Sequence, residues 1–469
     1  MQDKVSAEEV SEMADAAVTT VPADSEAPAT SVIGRYRART TTSKREWEDF
    51  GRHLPDGHTR ATAFFTPYPI VLVHGEGPIV TDADGNRYYD LLNNYTSLVH
   101  GNAHPQLLEA ARSVMETGTV FPSPHRLQAT HAAIVCDRLP NAEMVRYTNS
   151  GTEASMIAVR IARAATGRDL VAKARCGYHG SWDGLWVSAM EPNPESDNVV
   201  EPGVPRSVHD LVRIFEFNDP EDLTRVCEAA GSDLAAVIIE PMLGSGGAVP
   251  ATPEFLALAR RLADKAGAVL ILDEVQTFRL STGGLQQVLG CSPDLTTLGK
   301  LIGGGFPIGA VAGTRELLEL FRRDAPHHLE HSGTYNGNLV SMAAGFKAIE
   351  LLTEDAIASI NESGSLLADT LAKSLAECGL AGSVTGYGSM FNAHLGVNAT
   401  SVETGGDVLG QDPRLMRLLH LAFLNEGIFT SPHGFLNCST ALTERELPAV
   451  TRAITRAIEA VAAEAGETS

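Results

Sequence analysis

The lysine at position 300 stands in sequence surroundings suited to covalent chemistry. It follows the apolar run 295–298 and precedes the glycine-rich run 301–307, where a backbone or a flat ligand can approach closely. Desolvation there would lower the pKa of the amine, as a Schiff-base lysine requires. Most of the other lysines fall in tails or on predicted helical faces, and an ordinary surface lysine is the plain alternative for Lys300 taken alone.

Further polar or aromatic side chains follow predicted strands. They are Ser150, Gly151 and Thr152 after 144–147, Tyr178 after 170–172, Glu240 after 235–239 and Asp273 after 268–272. Because the carboxyl ends of parallel strands meet at one edge of a sheet, one crevice there could hold all of them together with Lys300. The sequence therefore predicts an anion site, an aromatic face, carboxylates and an amine in one place.

Two of these motifs have alternative interpretations. The segment from Ser150 to Glu153 is a capping box, but the same helix N-terminus can bind an anion. Asp273-Glu274 after an apolar run is similar to the acidic end of a Walker B strand. The P-loop that should accompany it is missing, because Asp294 stands where its first glycine is needed and Leu301 where Ser or Thr should follow Lys300.

The elements that must position these residues alternate between short strands and amphipathic helices. One predicted unit has strands 235–239 and 268–272 around a helix 252–266, with Thr252 as N-cap and Gly267 as stop. A second has strands 144–147 and 170–172 around a helix 152–166. This pattern favours an α/β fold with a mainly parallel sheet flanked by helices.

The flanking regions differ from this pattern. Short apolar runs between residues 67 and 99, separated by a turn at 82–86, predict a hairpin or meander. After about residue 344 a long helical stretch, strands at 390–395 and near 428–430, and a helix from about residue 444 predict a smaller α+β domain. Residues 1–32 are poor in large apolar residues and predict a disordered tail.

Composition narrows the class of protein. The 469 residues carry 36 basic and 58 acidic side chains, a formal charge of −22 that repels nucleic acid and anionic lipid. The six cysteines occur singly and are typical of a reduced, cytoplasmic protein. No secretory signal is present, and the longest apolar runs are too short to cross a membrane. We expect a soluble protein without a nucleic-acid partner, a membrane partner or a metal site.

The predicted site has the groups that pyridoxal phosphate needs. From about residue 60 onward the chain resembles the class III (subgroup II) aminotransferases of fold type I, on 272–275 and 297–300 with its glycine-rich tail. Within that class it is similar to the glutamate-1-semialdehyde aminomutase branch and most similar to its β-amino-acid (β-phenylalanine-type) aminotransferases. That closer likeness lies in 59–69, 95–96 and 331–336.

The resemblance implies a domain division and a role for each site residue. Residues 33–110 would contribute to the small domain, 111–344 would form the large cofactor-binding domain, and 345–469 would form the C-terminal small domain. The implied roles are Lys300 as the Schiff-base and proton-transfer residue, Asp273 at the pyridine nitrogen, Tyr178 and Val275 on the two faces of the ring, and Ser150, Gly151 and Thr152 at the phosphate. Glu240 would lie near the cofactor, although a strand-end carboxylate that caps a loop is the alternative. Thr334 would reach the phosphate of a neighbouring subunit. The last role implies a homodimer with shared active sites.

Three residues are candidates for substrate binding. Arg60 suits a carboxylate, because its planar fork donates two hydrogen bonds, although an ordinary loop arginine is the alternative. Tyr95 would line the pocket. His433 stands where the β-amino-acid aminotransferases typically carry an arginine, so we expect weaker selection of 2-oxoglutarate as acceptor.

These observations predict an aminotransferase that moves an amino group from a β- or ω-amino acid, or a related amine, to a 2-oxo acid. An aminomutase acting on an amino-aldehyde such as glutamate 1-semialdehyde would share nearly every cofactor residue. A non-catalytic protein with the same fold is a further alternative, against which the intact Lys300 and Asp273 argue.

Overall fold

The computed structural model describes residues 28–187, 202–397 and 402–466. Its strands are β1 (Leu72–Glu76), β2 (Ile79–Asp82), β3 (Arg87–Asp90), β4 (Met144–Thr148), β5 (Leu170–Ala174), β6 (Val212–Phe215), β7 (Leu234–Ile239), β8 (Met242–Leu243), β9 (Val249–Pro250), β10 (Val269–Asp273), β11 (Leu295–Gly299), β12 (Gly309–Gly313), β13 (Gly382–Tyr387), β14 (Met390–Leu395), β15 (Ile428–Phe429) and β16 (Phe435–Asn437).

The right-handed helices are α1 (Val32–Arg39), α2 (Thr41–Phe50), α3 (Pro105–Met115), α4 (Arg126–Arg138), α5 (Gly151–Thr166), α6 (Asp183–Trp186), α7 (Arg206–His209), α8 (Pro220–Ala230), α9 (Pro253–Ala266), α10 (Leu285–Val288), α11 (Arg315–Leu318), α12 (Leu339–Leu351), α13 (Glu354–Glu377), α14 (Pro413–Asn425) and α15 (Leu447–Gly466). One further turn, Asn93–Thr96, has positive φ at all four residues and is left-handed.

A seven-stranded sheet forms the centre of the fold. Its strand order is β4-β12-β11-β10-β7-β5-β6, and every neighbouring pair is parallel except the two that involve β12. Strands β7, β10, β11 and β12 are buried along their whole length, as expected when helices cover both faces of a sheet. The predicted α/β class is confirmed, and β12 is a strand that the periodicity did not predict.

The two faces of this sheet belong to two apolar cores. Val237 and Leu270 pack with the helices α8 and α9 on one face, whereas Ile238 and Ile271 pack with α5 on the other. This alternation follows from the two-residue period of a strand. Thr252 Oγ accepts the Phe255 N–H (3.2 Å) and so begins α9 as the sequence predicted.

Three smaller sheets accompany the central one, and the smallest is the antiparallel pair β8 and β9. The predicted meander forms the antiparallel strands β1, β2 and β3, and β15 adds to β3 in parallel. Strands β13, β14 and β16 form an antiparallel sheet. Segments from both ends of the chain thus share one sheet, while the domain boundaries at residues 110 and 344 stay predictions.

The structure also refines the two ends of the chain. The predicted tail, 1–32, lies largely outside the described residues; Ser31 caps α1, which starts at Val32. The last helix starts at Leu447 rather than near 444, because Glu446 accepts the Thr443 N–H (3.0 Å) and closes a turn before it. No helix within the described ranges is long and apolar enough to span a bilayer.

Candidate active site

A cavity of about 390 Å³ opens at the carboxyl edge of the central sheet, where β4, β5, β7, β10 and β11 end. Eight of the predicted site residues line it together: Ser150, Gly151, Thr152, Tyr178, Glu240, Asp273, Val275 and Lys300. Strand-end position predicted this grouping correctly. The other four predicted residues, Arg60, Tyr95, Thr334 and His433, do not line this cavity.

Lys300 follows directly after β11 and is partly buried in the cavity. Desolvation lowers the pKa of its amine to about 8, although the nearby carboxylates of Asp273 and Glu240 act in the opposite direction. Its φ of 47° is unusual for a residue with a side chain. The cavity therefore contains an amine that is neutral to a useful extent near physiological pH.

Asp273 at the end of β10 forms a buried hydrogen bond with His179. The distance from His179 Nδ1 to Asp273 Oδ2 is 2.8 Å, and the Val275 N–H donates to Asp273 Oδ1 at 3.1 Å. Burial lowers the pKa of His179, whereas the hydrogen bond to Asp273 raises it. His179 was not predicted to have a role, although its place beside Tyr178 after β5 was a usable signal.

Glu240 connects two segments of the site. Its buried carboxyl accepts the N–H of Tyr178 (2.9 Å) and the N–H of Gly244 (3.0 Å). Burial, followed by repulsion from Asp273, raises the pKa of Glu240 to about 8. The side chain thereby fixes the segment that carries the Tyr178 ring into the cavity.

The start of α5 provides an anion site. The Ser150 oxygens accept the N–H groups of Glu153 and Ala154. The N–H groups of Gly151 and Thr152 have no acceptor within the described structure. A Cβ on Gly180 would lie 2.3 Å from Thr152 Oγ1, so only glycine fits against this turn. Free N–H groups at a helix N-terminus are suited to phosphate.

Glu274, the other half of the acidic pair, has a structural role. It is buried away from the cavity and accepts the N–H of Leu285 (3.1 Å) and of Gln286 (2.6 Å) at the start of α10. Burial raises its pKa to about 7. These contacts explain an acid at this position without a Walker B function.

A second cavity of about 280 Å³ adjoins the first, and Asn94 lines both. Arg60 and Tyr95 line the second cavity, with the Arg60 guanidinium 5.7 Å from the centre of the Tyr95 ring. Apolar side chains form much of its wall: Phe65, Ile70, Leu72, Val80, Leu92 and Phe429. His433 is exposed and lines neither cavity, although its neighbour Pro432 lines the second.

Thr334 lies on an exposed segment some distance from these two cavities. It lines a third cavity of about 680 Å³ together with Arg146 and His331. The segment is attached to the loop that precedes α5 in the same subunit, because Asn149 Nδ2 donates to Asn336 Oδ1 at 2.8 Å. The role of Thr334 in a neighbouring subunit stays a prediction.

Comparison with known proteins identifies the family. The model of aminotransferase class-III matches residues 63–448. The chain belongs to the class-III aminotransferase family. It is 36% identical over 422 residues to a β-phenylalanine transaminase of Variovorax paradoxus, covering 90% of this chain and 93% of the relative.

Two other relatives agree with that assignment. A glutamate-1-semialdehyde 2,1-aminomutase of Thermus thermophilus is 38% identical over 410 residues, covering 86% of this chain and 96% of the relative. The crystal structure of an omega-transaminase from Sphaerobacter thermophilus has a TM-score of 0.86 and 37% identity, covering 91% and 99%. The expectation of fold type I and of a PLP-dependent class-III aminotransferase is confirmed, whereas cytoplasmic location stays a prediction.

The cofactor of this family is pyridoxal phosphate, and the residues of the Lys300 cavity fit it. The cofactor needs an amine for its aldehyde, a carboxylate for its ring nitrogen and donors for its phosphate. Lys300, Asp273 and the free N–H groups of Gly151 and Thr152 are those groups. No cluster of side chains suited to a metal ion occurs among the described residues.

Proposed function

We propose that this enzyme transfers an amino group from a β- or ω-amino acid, or a related amine, to a 2-oxo acid. The observation that supports this donor class is the pair of adjoining cavities that share Asn94. One contains the amine of Lys300, and the other has an arginine and an apolar wall. Such a site suits a donor whose carboxylate is separated from its amino group by additional carbon.

The bound cofactor supplies an electron sink that stabilises negative charge on the donor carbon. In the proposed mechanism Lys300 would hold the cofactor through its amine and would move a proton to and from that carbon at Nζ. A lysine pKa of about 8 suits such a group, because general acid–base catalysis works best near the operating pH. Asp273, held by His179, keeps a proton on the ring nitrogen.

The remaining residues would bind and orient the cofactor and the amino donor. Gly151 and Thr152 donate to the phosphate, and Ser150 sets the helix start that presents them. Tyr178 and Val275 would contact the two faces of the cofactor ring, and Glu240 holds the segment that carries Tyr178. In the second cavity Arg60 binds the donor carboxylate against Tyr95.

The proposed enzyme is a homodimer in which Thr334 reaches the phosphate of the neighbouring subunit. Its exposed position outside the Lys300 cavity is compatible with that role. We also propose the division into segment 33–110, large domain 111–344 and small domain 345–469. The sheet that joins β15 to β3 supports the assignment of the first and last of these to one unit.

A donor and acceptor screen tests the function. Purified enzyme would receive a β-amino acid, an ω-amino acid or a simple amine, with pyruvate and 2-oxoglutarate offered separately and Lys300→Ala as the control. Amino-group transfer from β- or ω-amino acids supports the proposal. Isomerisation of glutamate 1-semialdehyde without any acceptor would instead favour an aminomutase, a reaction named for the Thermus thermophilus relative.

A further inference from the structure

Arg279 is a buried cation whose contacts are directed at the substrate side of the site. Its side chain has no exposed surface and makes no ion pair with a carboxylate in the described part of the chain. One terminal nitrogen donates to Asn437 Oδ1 at 2.9 Å, and the other donates to the carbonyl of Cys438. Burial lowers its pKa to about 10, so the guanidinium remains charged at neutral pH.

Asn437, which accepts a hydrogen bond from Arg279, is also hydrogen-bonded to the residues that follow β3. Its backbone N–H donates to the carbonyl of Leu91 (2.7 Å), and its side-chain amide donates to the carbonyl of Leu92 (2.7 Å). Its backbone carbonyl accepts the side-chain amide of Asn93 at 2.9 Å. A single buried asparagine therefore fixes three consecutive residues.

Leu91 and Leu92 lead into the left-handed turn Asn93–Thr96, and Asn93 is its first residue. Asparagine tolerates positive φ, but tyrosine at 54° and the β-branched Thr96 at 76° do so rarely. Such a conformation persists only where the surroundings fix it. The carbonyl of Leu92 both closes this turn with the Thr96 N–H (3.3 Å) and accepts Asn437, so the two contacts act at the same atom.

The turn carries residues of both cavities. Asn94 lines the Lys300 cavity and the Arg60 cavity, and Tyr95 supports the guanidinium of Arg60. At the other end of the chain of contacts, Arg279 ends a short turn, Thr277–Arg279, soon after Asp273 and Val275. The contacts thus run from the cofactor side of the site to its substrate side.

We propose that Arg279 and Asn437 are positioning residues that hold the left-handed turn, and with it Asn94 and Tyr95, in the geometry that the donor requires. This inference rests on the proposed function. It predicts that loosening the turn lowers kcat/KM for the amino donor without changing cofactor binding, because neither residue lines the Lys300 cavity.

Asn437→Asp separates positioning from stability. The new carboxylate would form an ion pair with Arg279, but it could no longer donate to the carbonyl of Leu92 and would repel it. We expect a melting temperature at or above that of the wild type, about tenfold lower donor kcat/KM, and faster hydrogen exchange in peptide 90–99. Cofactor affinity should stay within about twofold.

Arg279→Met and Arg138→Met form a matched pair. Arg138 also donates to two main-chain carbonyls, those of Ile349 (2.7 Å) and Leu352 (2.9 Å), but lines none of the cavities described above. Both variants should lose stability, whereas only Arg279→Met should lose donor kcat/KM and expose peptide 90–99. Asn93→Gly, which permits the positive φ but removes the link to Asn437, serves if Asn437→Asp does not fold.

The outcomes are distinct. Unchanged donor kcat/KM and unchanged exchange of 90–99 in the Asn437 variant, or in Asn93→Gly if that variant replaces it, would overturn the proposal. Equal kinetic losses in Arg279→Met and Arg138→Met would also overturn it. A wild type that transfers no amino group would refute the proposed function instead, while the exchange data would still decide whether Arg279 and Asn437 hold the turn.

Discussion

His179 Nδ1 lies 2.8 Å from Asp273 Oδ2, and both side chains are almost entirely buried. An ionised carboxylate can only accept, so the imidazole donates through Nδ1. This bond orients the carboxylate whose other oxygen is fixed by the Val275 N–H. The imidazole therefore fixes the orientation of the Asp273 carboxylate, which in the proposed mechanism would meet the ring nitrogen of the cofactor.

The first prediction removes that orientation. His179→Ala should lower kcat about ten- to a hundredfold, the effect of losing a charge-assisted hydrogen bond. His179→Asn retains a donor and should recover part of the loss. Steady-state kinetics with saturating cofactor measures both, and a wild-type kcat in His179→Ala would show that Asp273 is positioned without the imidazole.

The second prediction concerns the pH at which Lys300 reacts. A pKa of about 8 leaves about a tenth of the amine neutral at pH 7, against about one part in three thousand for an ordinary lysine. The rate at which cofactor-free enzyme captures pyridoxal phosphate should rise with pH and level off above about pH 8. Because burial lowers the pKa of the Lys300 amine, its neutral form already predominates above about pH 8, whereas an ordinary lysine needs a higher pH.

Borohydride trapping and peptide mapping give the control within the same chain. Labelling of the exposed Lys265 in the same digests measures the background reaction of a surface amine. A Lys300 profile that does not level off near pH 8 would contradict the desolvated amine.

The third prediction tests Arg60. Arg60→Ala should cost about tenfold in kcat/KM for donors with a carboxylate, a value near the lower end for such contacts because Arg60 is exposed. Simple amines should be converted at the wild-type rate. Arg52→Ala, a change of an exposed arginine that pairs with nearby Asp49, is the control. Equal losses for both kinds of donor would make Arg60 structural.

The fourth prediction tests acceptor choice. His433→Arg would place a permanent fork beside Pro432 at the edge of the second cavity. The ratio of kcat/KM for 2-oxoglutarate to that for pyruvate should rise about five- to tenfold. His433→Gln, which adds no charge, should leave the ratio unchanged. An unchanged ratio in the arginine variant would remove His433 from the acceptor site.

The fifth prediction tests shared sites. Lys300→Ala and Thr334→Trp should each be inactive, but dimers reassembled from an equal mixture should recover about a quarter of wild-type activity, since half of them are mixed and each has one intact site. Thr334 acting within its own subunit would give no recovery. The activity of the mixture, measured against either variant alone, decides between these arrangements.

Local sequence information predicted much of the cofactor side of the site. Helix caps such as Thr252 and the alternation of strands and helices predicted where the strands end. Because parallel strands end at the same edge of a sheet, these strand ends predicted that Asp273 and Lys300 share one cavity, as they do. The last helix and the meander followed from the same signals.

On both sides of the site, contacts between residues that are distant in sequence were less predictable. His179 meets Asp273 across 94 residues, and Arg279 meets Asn437 across 158. No periodicity encodes such pairs. The left-handed turn was also missed, since Asn93–Thr96 includes residues that seldom adopt positive φ and do so here because tertiary contacts fix them. Strand β12 was missed because its ends are glycine and two of its three inner residues are alanine, which are both depleted in strands.

The pairing of β15 with β3 has a consequence for how the chain folds on the ribosome. Ile428 is the partner of Tyr89, so more than 300 further residues must be synthesised after β3 before β15 can complete its sheet. The central sheet, whose strands all lie between residues 144 and 313, can form in the meantime. Until β15 has been synthesised, the free edge of β3 is available for incorrect pairing, and this edge is the place where a holding chaperone would protect the nascent enzyme.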